Sequence, residues 1–438
     1  MPRRLPARVP TAAFGLDAER LRKGDFSDRY FLNIQQTLTS LARSGYLFQG
    51  RVPPRRGLEG RARSLRVGEA RVEMQFFTRR RPRSLACGIE HARAILETAA
   101  GGYDSRNRWV PAVPQAWAVP EGTWLLPLRP ALRLSGRYRD FCILETPLLG
   151  VLARETRIAT SVMEALRAAR GKPVFFFPAR MDLPATQPSD GWAYRIAVER
   201  YNRLTGRSLP LLISTEAQGE RWGGHGTGTV AHGFVLCFLG DTAEAMLHYA
   251  EALPLHVRRI ALVDTTGDCV GEALRTARAF FEKHLAALRS GNREQAERFR
   301  LEGVRADTAA EVRDRSVKPT GDIESDRGVN ERLVSAIRLA LDGAADLLPL
   351  RREEARLARA YFRNIRIVAT GGFDPEKIAR FERARAPVDI YGIGSWFLRS
   401  APNDFTADVV RVELAGQWVE MAKKGRKRIP NRDLRRLL

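Results

Sequence analysis

The chain has 438 residues, with 73 lysines and arginines against 50 aspartates and glutamates, for a formal net charge of +23. Its 44% hydrophobic and 28% charged content excludes a disordered chain, and no apolar run approaches the roughly 20 residues of a bilayer span. So positive a surface favours anionic partners: phosphorylated metabolites, nucleotides or nucleic acid.

The opening "MPRRLPARVPTAAFGLDAER" is basic and proline-rich and lacks the apolar segment of a signal peptide. A soluble cytoplasmic protein is therefore expected. Cys87, Cys142, Cys237 and Cys269 lie far apart and form no CxxC pair, which points to reduced thiols rather than disulfides or a zinc knuckle.

Residues 1–135 read as a mixed α+β unit. Helical periodicity appears in "DRYFLNIQQTLTSLARSGY" and "ACGIEHARAILETAA". Between them "ARVEMQFFTRR" reads as a strand, and "AWAVPEGTWLLPL" as two short strands around a turn. Residues 136–400 alternate short apolar runs with amphipathic helices. The runs are "KPVFFFPA", "LPLLIST", "HGFVLCFL", "RRIALVDT", "LEGVRADT", "IRIVATGG" and "VDIYGIGS". This alternation predicts a parallel sheet in a (β/α) barrel, with the chemistry on loops after the strand C-terminal ends. Residues 401–438 form a C-terminal segment expected to pack back on the N-terminal unit. Its basic tail, "MAKKGRKRIPNRDLRRLL", reads as a solvated helix or frayed end.

The strand-end loops carry the candidate chemistry. Gly371 and Gly372 in "ATGGFD", with Gly392 and Gly394 in "GIGSW", allow backbone N–H groups to approach an anion closely. In barrels the last two such loops are the usual phosphate cradle; the alternative is two ordinary turns. Arg305 and Asp307 alternate along "GVRADT", so both side chains face one way, either as an ion pair or toward a ligand. Asp264 in "LVDTTGD" offers a carboxylate to ribose hydroxyls or to Mg²⁺ with its waters, whereas Asp268 suits a helix cap near Gly271. His232 forms no metal spacing with the five other histidines; a lone imidazole beside an apolar run is ordinarily a packing residue.

Taken in order along nearly the whole chain, these motifs resemble the nicotinate phosphoribosyltransferase family, especially its shorter archaeal and bacterial branch. The resemblance runs through "SDRYFLNIQQTL", "FFTRRRPRSLACGIEHARAIL", "AVPEGTW", "ILETPLLGVLARETRIAT", "GTVAHGFVLCFLGDTAEA", "ALVDTTGD", "GVRADT", "IVATGGFD", "VDIYGIGS" and "DFTADVVRVE". It implies an incomplete (β/α) barrel of the type II phosphoribosyltransferases with an N-terminal α+β domain, working as a dimer with sites at the subunit interface. The implied reaction joins nicotinate to phosphoribosyl pyrophosphate, giving nicotinate mononucleotide and pyrophosphate in NAD salvage. It also implies Mg²⁺ carried by substrate rather than by protein ligands, and ATP as co-substrate coupled through a phosphohistidine at His232.

Further roles come from the same resemblance. Tyr30 would stack on the pyridine ring across the dimer. Arg305 would contact nicotinate or pyrophosphate, and Asp307 the ribose. Gly371, Gly372, Gly392 and Gly394 would cradle the 5′-phosphate. Arg79, Arg80 and Arg81 would reach a phosphate of the neighbouring site, while Arg180, Thr229 and Asp264 would bind substrate. Glu145 would give structural support. The chain departs from the family after the second barrel strand, where two arginines and a His-Pro are usual: "FPARMDLPA" keeps Arg180 but has Met181 and Leu183. Two other readings stand beside this one. The first is a quinolinate or other pyridine phosphoribosyltransferase. The second is a non-catalytic nucleic-acid-binding protein on a degenerate enzyme fold, for which the chain shows no helix-turn-helix, aromatic RNA-binding motif or zinc finger.

Overall fold

The computed structural model describes residues 8–50 and 58–438, so the first seven residues of the basic opening lie outside the described residues. The strand β1 (Arg71–Thr78) shows how the N-terminal unit is built. Val72, Met74 and Phe76 point into one apolar core, and the alternate Glu73 and Gln75 point to the other face. On its two edges β1 pairs antiparallel with β3 (Pro130–Arg137) and β9 (Phe405–Leu414). β2 (Gln115–Ala118), β10 (Gln417–Glu420) and β11 (Arg435–Arg436) complete a six-stranded sheet of order β10-β9-β1-β3-β2-β11. The helices Arg29–Arg43 and Ile89–Ala99 occupy the two segments with helical periodicity.

The basic tail is neither a helix nor a frayed end. Gln75 Nε2 donates to the Lys427 carbonyl (2.9 Å), and Gln75 Oε1 accepts from Ile429 N (3.1 Å). Glu73 is paired with Arg428, and β11 adds to the sheet beside Trp117 and Ala118. Buried polar groups on the outer face of β1 thus find partners in the tail, which is the condition for burying them. The run of charge was the wrong guide here, because long-range pairing decides the conformation.

The second unit is a five-stranded parallel sheet of order β4-β8-β7-β6-β5, comprising β4 (Val174–Phe176), β5 (Ile260–Leu262), β6 (Gly303–Ala306), β7 (Arg366–Ala369) and β8 (Ile390–Ile393). "LPLLIST" adds a single parallel bridge, Ile213 to Phe176. Strand alternation sends Phe176, Val304, Ile367 and Tyr391 outward to the helices. It sends Phe175, Ile260, Val368 and Ile390 into a separate inner cluster with Leu212. Phe175 and Ile260 lie on opposite edge strands of the ladder, so the sheet curves round a shared interior. The ladder itself does not close among the described residues.

"HGFVLCFL" is not a strand: His232–Leu236 is a short helix. Ala231 is the last extended residue before it, and Asp241 caps the next helix, Thr242–Ala252. A short apolar run carries no periodicity that separates the two outcomes.

One helix, Glu145–Ala168, joins the two units. Its first turns place Leu148 and Leu152 in the N-terminal core, and its later turns place Ile158, Val162 and Leu166 in the core of the parallel sheet. At its middle, buried Glu155 accepts from Arg221 Nη1 (3.0 Å) and lies 2.8 Å from His91 Nδ1. Nearby, burial and the Glu155 charge push the Glu121 carboxyl up to about 8.

Candidate active site

The C-terminal ends of the parallel strands surround a cavity of about 640 Å³. It is lined by Arg180, Thr229, His232, Arg305, Asp307, Gly371, Gly372, Gly392 and Gly394. Nine side chains or turns singled out in the sequence therefore converge.

The cavity follows from strand alternation. Val304 and Ala306 are fully buried against the outer helices, which turns Arg305 inward. Arg305 Nη1 donates to Thr229 Oγ1 at 2.6 Å, and Nη2 lies 3.5 Å from Asp307 Oδ2. Its guanidinium carbon sits 6.0 Å from the centre of the Phe177 ring, itself stacked on Phe175. Burial lowers the Arg305 pKa, with Asp307 and Asp264 opposing that shift. The Nε of Arg305 is buried without a partner. The local reading of Arg305 and Asp307 left an ion pair and a ligand site open. The geometry shows a long pairing with spare donors, which leaves capacity for an anion.

Asp307 is held from the other side, where Thr370 Oγ1 donates to its Oδ1 at 2.6 Å. Thr370 leads into Gly371 and Gly372, with φ of +92° and +66°. Two successive left-handed residues are what glycine permits. Among the described residues, the backbone N–H groups of Gly371, Gly372 and Phe373 are paired with no acceptor. Gly392 has a different reason to be glycine: a Cβ there would lie 2.5 Å from Thr370 Cγ2 and 2.9 Å from Phe177 Cδ2. It makes room for the wall, whereas Gly372 has open space around it.

His232 begins the short helix, and its Nε2 lies 3.1 Å from Asp264 Oδ2. Asp264 is nearly buried; burial raises its pKa and His232 opposes the rise. Its Oδ1 has no partner. The imidazole is 43% exposed, so it is reachable by a ligand while one ring nitrogen is held. Asp268 accepts from Gly271 N at 3.0 Å and caps the helix Cys269–Arg289.

Three candidate residues lie elsewhere, on the N-terminal unit. Tyr30 is 56% exposed. Desolvation, Asp28 and Glu145 raise its pKa. Arg79 Nη1 donates to Thr406 Oγ1 at 2.8 Å and interacts with Asp408, which also raises the Glu145 pKa. Arg80 is engaged with Glu164 (2.9 Å) and the Ala401 carbonyl (3.1 Å). None of the three lines the cavity of its own chain.

Phe177 and Thr370 line the cavity and escaped the sequence reading, as did Lys377 behind the glycine turn. Thr370 was detectable, since it immediately precedes the glycine pair. Lys377 Nζ donates to the Gly371 carbonyl at 2.9 Å. Among the described residues, no group of three or more His, Cys, Asp or Glu side chains is arranged to hold a metal ion. No helix there is long and apolar enough to cross a membrane.

Comparison with known proteins agrees with this geometry. Residues 61–156 match the family of the quinolinate phosphoribosyl transferase N-terminal domain. A nicotinate phosphoribosyltransferase of Mycobacterium tuberculosis is 28% identical over 295 residues, 67% of this chain and 50% of that protein. The chain thus spans about half the length of the curated relatives it matches. A nicotinate-nucleotide pyrophosphorylase from Pyrococcus furiosus shares the fold, with a TM-score of 0.62 and 24% identity over 94% of this chain and 80% of that one. Human nicotinic acid phosphoribosyltransferase does so with a TM-score of 0.55 and 19% identity, covering 90% of this chain and 75% of that one. The chain is thus similar in sequence to a nicotinate phosphoribosyltransferase over two thirds of its own length, and it shares the fold of the two solved structures.

Proposed function

We propose that the protein transfers the phosphoribosyl group of phosphoribosyl pyrophosphate to nicotinate, giving nicotinate mononucleotide and pyrophosphate in cytoplasmic pyridine nucleotide salvage. The observation that carries this reading is the convergence of Arg305, Asp307, the Gly371–Gly372 turn and His232, itself held by Asp264, on one cavity.

The Gly371–Gly372 turn offers unpaired N–H groups to the 5′-phosphate. Asp307, fixed by Thr370, is placed for the ribose hydroxyls. As the bond from C1 to pyrophosphate breaks, positive charge develops on the sugar and negative charge on the leaving group. Arg305 and Arg180 supply fixed positive charge against the latter. Magnesium would arrive with the substrate and neutralise pyrophosphate. Asp264, with its partnerless Oδ1, and Asp307 are the oxygen donors available to it. The attacking pyridine nitrogen has a free lone pair, so no general base is needed and positioning supplies much of the rate.

In the ATP-coupled form of the reading, His232 accepts the γ-phosphoryl group and ADP leaves. With Nε2–H donated to Asp264, the Nδ1 lone pair is the free nucleophile. In a second copy of the chain, Tyr30 stacks on the pyridine ring and Arg79 reaches a phosphate of the neighbouring site.

Mass spectrometry of products tests this. Nicotinate, phosphoribosyl pyrophosphate and Mg²⁺ should give the mononucleotide, with an ATP-dependent increment that His232→Ala loses. A quinolinate-specific enzyme is the second reading, favoured by the N-terminal family match. Release of ¹⁴CO₂ from carboxyl-labelled quinolinate, with no product from nicotinate, would replace the first reading by the second.

A further inference from the structure

The glycine turn after β7 has a support that its own residues do not provide. Gly371 and Gly372 are joined by a peptide unit flanked by two positive φ angles and no side chain. Such a unit is free to rotate about its flanking bonds, because nothing on either residue resists. In a planar trans peptide, the carbonyl of one residue and the N–H of the next point in opposite directions. Holding the Gly371 carbonyl therefore fixes where the Gly372 N–H points.

Lys377 holds it. The lysine lies on the helix Pro375–Arg383, whose N-terminus is capped by Asp374. Its ammonium reaches back to the Gly371 oxygen at 2.9 Å and sits 4.5 Å from the centre of the Phe373 ring. Phe373 is itself buried against Phe381 and Tyr391, so the lysine stem lies along a fixed surface. The charges around the ammonium are Arg380, Glu331 and Asp374, and Arg380 is already paired with Glu331 at 2.7 Å. Lys377 does not line the cavity, so it acts through the turn.

Resting on the phosphoribosyl reading above, we propose that Lys377 is a positioning residue for the 5′-phosphate: it pins the Gly371–Gly372 peptide so that the Gly372 N–H stays turned away from the lysine and toward the phosphate. Its positive charge behind the turn adds to the attraction. Selectivity follows from the location. Lys377 governs the phosphate end of the substrate and leaves the nicotinate end alone.

The test separates this inference from the functional reading. Lys377→Met keeps the aliphatic stem and removes the ammonium; Lys377→Leu is the second variant should the first fail to fold. Binding of ribose 5-phosphate is measured by calorimetry, alongside KM for each substrate and kcat. Both variants should weaken ribose 5-phosphate and raise the KM for phosphoribosyl pyrophosphate by about tenfold, with the KM for nicotinate within about twofold. Lys377→Arg, which keeps a donor and a charge, should recover part of the loss. An unchanged ribose 5-phosphate affinity in a folded variant would overturn the proposal, as would equal rises in both KM values. Wild-type protein that binds ribose 5-phosphate through Lys377 but makes no mononucleotide would sink the functional reading and leave this inference standing.

Discussion

The cavity of the parallel sheet and the exposed face of the N-terminal unit carry candidate residues in opposite states. In the cavity, Arg305, Asp307, Thr370 and Thr229 hold one another at 2.6–3.5 Å within a single chain. On the N-terminal face, Tyr30 is mostly exposed and Arg79 leans on a strand, and neither lines the cavity of the parallel sheet. The first region is complete once the strands register. On the proposed reading, the second joins a site when another copy of the chain supplies the cavity. Residues of the first kind are preorganised, whereas the proposed role of the second depends on assembly.

The largest expected effect falls on the cavity. Arg305→Ala should lower kcat/KM by about 10² to 10³, since it removes both the charge facing the leaving group and the partner of Thr229. Steady-state kinetics checks this. A fall of less than about tenfold would make Arg305 part of the wall rather than of the chemistry.

Mixing subunits tests the other side of the comparison. Arg305→Ala chains and Tyr30→Ala/Arg79→Ala chains should each be nearly inactive alone. Unfolded and refolded together, they should recover about a quarter of wild-type turnover if each site joins one chain's cavity to the other chain's face. No recovery from a demonstrably mixed dimer would place Tyr30 and Arg79 outside the site.

A third variant probes why the wall is so tight. Gly392→Ala should destabilise the protein by about 1–3 kcal/mol, because its Cβ meets Thr370 and Phe177 with no space to yield. Gly372→Ala meets no such neighbour, and its cost is the positive φ alone, about 1 kcal/mol. Denaturant titration of both variants sharpens the contrast between a packing glycine and a conformational one.

A pH-dependent effect lies at the junction of the two regions. The Glu121 carboxyl titrates near 8 in the folded chain, against an ordinary value of 4.5. Between these values the unfolded chain is ionised while the folded chain keeps the proton. The stabilisation is therefore fully present below about pH 4.5 and is lost as pH rises through about 8, at up to about 1.4 kcal/mol per pH unit. Glu121→Gln should flatten that slope in a pH series of thermal unfolding.

The sequence disclosed the two regions unequally. Strand-end motifs were legible because glycine, aspartate and arginine at the end of an apolar run have few other uses. Their meeting in one cavity follows from strand alternation and parallel order. Two elements were misread. "HGFVLCFL" starts a short helix, which so short an apolar run could not disclose, and the tail is paired with β2, a partner far away in sequence. Lys377 and Phe177 were missed for a related reason. A lysine in the first turns of a helix looks like surface charge until the carbonyl it reaches is located.

A crystal structure with nicotinate mononucleotide bound tests the central claim most directly. The account predicts the 5′-phosphate against the N–H groups of Gly371, Gly372 and Phe373, the ribose hydroxyls on Asp307, and Arg305 on the side where pyrophosphate departs. A mononucleotide whose phosphate lies away from both glycine turns, or outside this cavity altogether, would contradict it.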